Sequence, residues 1–159
     1  MESKRPSSLA QRGSPLLFAG LCLLAASAGA APGPGPWYDQ LAKPRWTPPD
    51  WVFPVVWTPL YAMIALAGWL IQRSGGWRSP ATAMWLVQLA LNAGWTWLFF
   101  GLQRPGWALV DILLLAAAIT ATIVLARRTS RTAALLLAPY LVWVLFATAL
   151  NGAIWRMNL

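Results

Sequence analysis

Pro105-Gly106-Trp107-Ala108-Leu109-Val110-Asp111-Ile112-Leu113-Leu114-Leu115-Ala116-Ala117-Ala118-Ile119-Thr120-Ala121-Thr122-Ile123-Val124-Leu125-Ala126 holds a single ionisable side chain, Asp111, between Arg104 on one side and Arg127 and Arg128 on the other. A stretch this long and apolar matches the roughly 20 residues that an α-helix needs to cross a bilayer core. Four more stretches read the same way, at about residues 15–31, 51–72, 80–102 and 132–155. The last four are joined by short, arginine-bearing segments at residues 73–79, 103–104 and 127–131. Such tight joints force neighbouring helices to run antiparallel and pack as a bundle. No stretch alternates polar and apolar residues in the way a transmembrane β-strand does. The expectation is an all-α membrane protein: a basic tail at residues 1–14, then one domain at 15–159 forming a five-transmembrane-helix bundle.

Composition agrees. Of 159 residues, 58% are hydrophobic and 10% charged, where a soluble domain carries about 25% charged residues. There are twelve Trp, no His and one Cys. That inventory excludes a His-based catalytic triad, a His/Cys metal cluster and an internal disulfide. Twelve Lys and Arg against four Asp and Glu give a net charge of +8. The cations stand at helix ends rather than along one face, and no nucleic-acid-binding motif accompanies them. The charge therefore reads as membrane topology. With the N-terminus inside, Lys4, Arg5, Arg12, Arg73, Arg78, Arg127, Arg128 and Arg131 share the cytoplasmic side, against Lys43, Arg45, Arg104 and Arg156 outside. The positive-inside rule favours that orientation.

The first apolar stretch has two readings on its local pattern. Lys4, Arg5 and Arg12 precede it and a run of small residues follows, which suits a cleavable signal peptide as well as a retained helix. After it comes a joint, residues 32–50, with Pro32, Pro34, Pro36, Pro44, Pro48 and Pro49. Proline stiffens this joint and should bar a helix through it. Its Trp37, Tyr38 and Trp46 should pack on headgroups or on the mouth of the bundle. Thr47-Pro48-Pro49-Asp50 reads as the start of the next helix, with Thr47 as cap.

Polar residues inside spans are costly and therefore informative. Asp111, Gln88, Asn92 and Asn151 are candidates either for hydrogen bonds between helices or for the floor of a ligand cavity. Aromatic residues fall on matching faces. Trp57 and Tyr61 are four apart, as are Trp107 and Asp111; Asn92, Trp95 and Phe99 share helical spacing; Trp143, Ala147 and Asn151 form a stripe. An interfacial aromatic belt accounts for Trp51, Trp77 and Trp155 at span ends. It does not account for Trp57, Trp95 and Trp143, which lie deeper. A cavity lined by inner indoles suits a large, flat, apolar ligand.

These residues carry a resemblance. The segment from Trp37-Tyr38-Asp39-Gln40 through Lys43-Pro44-Arg45-Trp46-Thr47-Pro48-Pro49 resembles the first-loop signature of the TspO/MBR family, the tryptophan-rich sensory proteins and translocator proteins. Asn92-Ala93-Gly94-Trp95 with Phe99-Phe100-Gly101, then Gly106-Trp107 through Asp111, then Pro139-Tyr140 through Trp143 and Phe146 through Asn151, resemble that family's third, fourth and fifth helices. The match runs in order from about residue 37 to 158, and it favours a retained first helix.

The resemblance implies a five-helix membrane protein, commonly a homodimer, that binds porphyrins such as protoporphyrin IX beneath the first loop. It further implies a role in tetrapyrrole sensing, scavenging or transport and in stress regulation. The ligand-binding positions carried over are Trp46, Trp57, Asn92, Trp95, Trp107, Asp111, Trp143, Ala147 and Leu150. Light- and oxygen-dependent porphyrin degradation, reported for some bacterial members, would use Trp57, Trp95 and Trp143 as catalytic residues. A sterol or lipid transporter is another alternative. It is discounted because Gly152 stands where the proposed sterol motif of animal members has Tyr, and such motifs are weak even when intact. The porphyrin is a ligand rather than a fixed cofactor, and no metal site is expected. Without His, haem would lack its usual axial ligand, so ring stacking should hold a metal-free porphyrin while Lys43 or Arg45 meets its propionates. Ala83, Ala90 and Gly94 give the third helix a small-residue face suited to dimerisation. A bacterial membrane is the expected location, with no nucleic-acid partner.

Overall fold

A computed structural model describes residues 13–159. Residues 1–12, with Lys4, Arg5 and Arg12 of the basic tail, lie outside the described residues. Regular structure among the described residues is all helical, without a strand. The elements are α1 (Pro15–Ala30), α2 (Pro36–Gln40), α3 (Val52–Gly75), α4 (Pro80–Thr96), a π-helical segment Trp97–Gly101, α5 (Pro105–Ala126) and α6 (Arg131–Met157).

The helix starts follow from local chemistry. The Oγ atoms of Ser14, Ser79 and Ser130 accept from the amides of Leu16, Thr82 and Ala133, satisfying donors that a helix N-terminus leaves free. Pro15, Pro80 and Pro105 occupy first-turn positions where their missing N–H costs nothing. Gly76 closes α3 at φ +79°, its amide donating to the Gln72 carbonyl at 2.7 Å. Inside α3 and α6, Pro59 and Pro139 leave the carbonyls four residues earlier without their helical donors.

Two expectations are corrected. The proline-rich joint does contain a helix: α2 fits because Pro36 takes the first helical position. Thr47 does not cap α3. Its hydroxyl donates to the Pro44 carbonyl at 2.7 Å, residues 44–52 form successive turns, and the helix begins at Val52. The described residues thus form six α-helices rather than five. Three of them, α3, α5 and α6, are long and apolar enough to cross a membrane. The apolar α1 is shorter, at 16 residues, and α4 continues without a break into the π-helical segment.

The long helices form a closed ring in the order α1, α3, α6, α5, α4, with α1 packed against α3 and α4. The core inside is dominated by large side chains, among them Phe18, Ile64, Trp85, Ile119, Leu137 and Tyr140, all fully buried. Leu23, Leu24, Leu113, Leu114, Leu135, Val142 and Leu145 point outward. An apolar outer surface over apolar helices is what a bilayer accepts and water does not; this is the organisation of a membrane protein.

Candidate functional site

A cavity of about 450 Å³ lies within the ring at the loop end. Phe53, Trp57 and Tyr61 of α3 form one wall, Asn92 and Trp95 of α4 with Phe99 and Phe100 the opposite one, and Ala147, Leu150, Asn151 and Ile154 of α6 the third. The remaining side is α1 and its exit, contributing Ala26, Gly29, Ala30, Gly33 and Pro34. The π-helical turn explains how two consecutive phenylalanines reach the same cavity. The Leu102 amide donates five residues back to the Trp97 carbonyl at 2.7 Å, and this widened turn re-aims side chains that a regular helix would splay by about 100°.

Two amide side chains tie the walls together. The Tyr61 hydroxyl donates to Asn92 Oδ1 at 2.6 Å, and Asn92 Nδ2 donates to the Tyr140 hydroxyl at 3.0 Å, joining α3, α4 and α6. The Trp95 indole donates to Asn151 Oδ1 at 2.9 Å, and Asn151 Nδ2 donates to the Pro105 carbonyl at 2.8 Å, joining α4, α6 and α5. Asn92 and Asn151 are buried. They both line the cavity and link the helices, so the two sequence readings of these amides are compatible.

The loop between α1 and α3 covers one side of the mouth. Tyr38 is buried against Phe99 and Phe100, with ring centroids 6.2 and 5.3 Å away. Trp37 packs edge-on against Phe99, and Trp46 against Phe146. Asn158 fastens the loop to the end of α6: its Oδ1 accepts from the Ala42 amide at 3.0 Å, and its Nδ2 donates to the Ala42 carbonyl at 2.9 Å. Lys43 Nζ stands 4.4 Å from the centre of the Tyr38 ring and donates to the Asp39 carbonyl at 3.4 Å. Burial, then the charges of Asp50 and Asp39, push the Tyr38 hydroxyl above its ordinary pKa, so it stays a neutral donor.

Of the nine ligand positions expected from sequence, Trp57, Asn92, Trp95, Ala147 and Leu150 line this cavity. Four lie outside its lining. Trp46 is half exposed on the loop. Trp107 is 67% exposed, because the neighbouring Ala108 takes the inward direction on α5 and is fully buried. Asp111 lies at the α4–α5 seam, its Oδ1 beside Gly94. Its Oδ2 is buried with no hydrogen-bond partner among the described residues. Trp143 is separated from the cavity by Phe53, with ring centroids 5.9 Å apart, and lines an apolar groove on the outer face between α3 and α6. Of the three indoles expected to be catalytic, Trp57 and Trp95 are therefore together and Trp143 stands behind the wall. Gln88 is fully buried but does not line the cavity, and neither of its amide atoms has a partner among the described residues. Lys43 and Arg45 do not line it either.

Sequence reasoning missed Phe53 and the α1 contribution. Phe53 sits in the first turn of α3, next to the first-loop signature. The α1 positions carry no signal, because that helix is apolar on every face.

Comparison with known proteins follows the same outline. The TspO/MBR family model matches residues 16–156. The chain is 45% identical over 150 residues to the tryptophan-rich protein TspO of Chlorobaculum tepidum, covering 89% of this chain and 94% of that one. It is 44% identical over 126 residues to the human translocator protein, covering 77% and 75%. It is 38% identical over 143 residues to the tryptophan-rich sensory protein of Cereibacter sphaeroides, covering 90% of each.

Proposed function

This chain belongs to the TspO/MBR family, and from that premise we propose that it binds porphyrins of the protoporphyrin IX type in the aromatic cavity and acts in tetrapyrrole sensing, scavenging or transport. The observation that carries the reading is the pairing of flat aromatic walls, Trp57 facing the Trp95–Phe99 stack, with hydrogen-bonded amides at Asn92 and Asn151. A cavity of about 450 Å³ lies within the usual range of about 300–1,000 Å³ for small-molecule sites. Aromatic faces stack on a planar ring, and amides already held by neighbouring helices fix its environment at little further ordering cost.

The proposed location is a bacterial membrane, and the eight-against-four distribution of cations supports an N-terminus in the cytoplasm. Five spans follow if α1 and the continuous α4–π segment cross together with α3, α5 and α6. The exposed Ala83 and Ala90 give α4 a flat face for a second copy. Binding is preferred to photo-oxidative degradation because Trp143, one of the three indoles that chemistry would use, is screened from the cavity by Phe53.

The test is a titration of the detergent-solubilised protein with protoporphyrin IX, followed by tryptophan fluorescence. Saturable quenching that weakens in Trp57→Ala supports the reading; quenching that never saturates defeats it. Illuminating the complex and following porphyrin absorbance separates binding from degradation.

A further inference from the structure

The charge inventory of the cavity is asymmetric. Among its described lining residues Asp50 is the only charged side chain, and the polar remainder (Tyr38, Trp57, Tyr61, Asn92, Trp95, Thr96 and Asn151) is neutral. Asp50 stands at the rim, in the turn that leads into α3. The exposed lining residues Ala30, Pro34, Asp50 and Pro54 all come from the exit of α1 and the entrance of α3. The loop, meanwhile, is fastened on the opposite side. Tyr38 lies against Phe99 and Phe100, Ala42 is bonded to Asn158 of the α6 end, and Trp46 packs on Phe146 of α6. The cavity therefore opens at the seam between α1 and α3, and Asp50 marks that opening.

We propose that Asp50 is a specificity-determining residue. Its carboxylate at the α1–α3 opening disfavours ligands that bring an acidic substituent to that edge, so the cavity prefers the uncharged form of an otherwise identical flat ring. A diacid ring is admitted only with its carboxylates turned away from Asp50. Like charges near a low-dielectric wall repel more strongly than in bulk water, and a carboxylate at a rim acts on every ligand that passes it. This inference rests on the porphyrin reading above and sharpens it to a preference between ligand forms.

The experiment compares protoporphyrin IX with its dimethyl ester, a pair that differs in charge and hardly in ring shape, on the full chain and on Asp50→Asn. The unsubstituted protein should bind the ester more tightly. Asp50→Asn should raise affinity for the diacid about three- to ten-fold and change that for the ester less than two-fold, with the difference shrinking in high salt. Asp50→Ser, which also suits a helix entrance, is the second variant should Asp50→Asn fold poorly. An ester-to-diacid affinity ratio that is the same in the variants and the unsubstituted protein overturns the assignment. If neither pigment binds the unsubstituted protein, the porphyrin reading falls and this assignment falls with it. Binding of both with an unchanged ratio removes Asp50 alone.

Discussion

The Tyr61 hydroxyl and the Asn92 side chain meet at 2.6 Å across the α3–α4 contact, and the same Asn92 donates to Tyr140 on α6. One buried amide thus serves two hydroxyls from two other helices. Replacing it with Leu removes both bonds and leaves the fully buried Tyr140 hydroxyl without this donor. Hydrogen bonds between membrane helices average about 0.6 kcal/mol, and a stranded buried polar group costs about 1–3 kcal/mol. Asn92→Leu should therefore lower stability by about 2 kcal/mol, and Tyr61→Phe by about 0.5–1 kcal/mol. Thermal unfolding in detergent checks the order. Equal losses in the two variants would show that Asn92 does not act through both partners.

The indoles divide by location, and binding should divide the same way. Trp57 lines the cavity, whereas Trp107 is 67% exposed on the outer face of α5. Trp57→Ala should weaken protoporphyrin IX binding at least about ten-fold, equivalent to about 1.4 kcal/mol of lost stacking and burial. Trp107→Ala should leave affinity within about two-fold, since an outward side chain has no contact to lose. Fluorescence titration of the two variants decides it. Comparable losses would mean that the ligand lies between α5 and the membrane instead.

The helices were legible in the sequence because each is a long apolar run punctuated by Pro, Ser or Arg. The observed bounds of α1, α3, α5 and α6 fall within about three residues of the expected ones, and α4 does so once its π-helical continuation is included; the short α2 was not expected. The indole and amide positions at the cavity were legible through helical spacing, which puts Trp57 beside Tyr61 and Asn92 beside Trp95. Spacing fixes a face but not what that face meets. Trp143 and Ala147 share a stripe, yet Phe53 stands between Trp143 and the cavity while Ala147 lines it. Trp107 and Asp111 are likewise four apart, yet Trp107 is exposed while Asp111 stands beside Gly94 of α4. The α1 wall could not be read at all, because uniform hydrophobicity leaves no face distinguished. The π-helical turn that brings Phe99 and Phe100 together has no composition signal either.

Asn151 holds the Trp95 indole through its Oδ1 and the Pro105 carbonyl through its Nδ2. Asn151→Ala frees the indole without removing the ring from the cavity wall. Porphyrin affinity should fall about three- to ten-fold, because the ring must then be ordered on binding at a cost of about 0.5–1.5 kcal/mol. Trp95→Phe, which keeps a ring but loses the donor, should fall by a similar factor. Affinity unchanged in Asn151→Ala would separate the hydrogen bond from recognition.

Gly68 and Trp85 set the closest approach in the core. A β-carbon on Gly68 would stand inside contact distance of the Trp85 indole. That indole is fully buried, and its N–H donates to the Ile64 carbonyl at 3.0 Å. The ring is also in edge contact with Phe18 of α1, so it has little room to retreat. Gly68→Ala should destabilise by about 1–3 kcal/mol, the usual cost of overpacking, despite alanine's better helix propensity. Gly20→Ala is the matched control: a β-carbon there meets nothing within 4 Å, so propensity alone should leave it neutral or slightly stabilising, by about 0–1 kcal/mol. Thermal unfolding of both variants in the same detergent isolates the contact. If Gly68→Ala behaved like Gly20→Ala, Trp85 would have space the packing does not allow it, and α1 rather than α4 would have to yield.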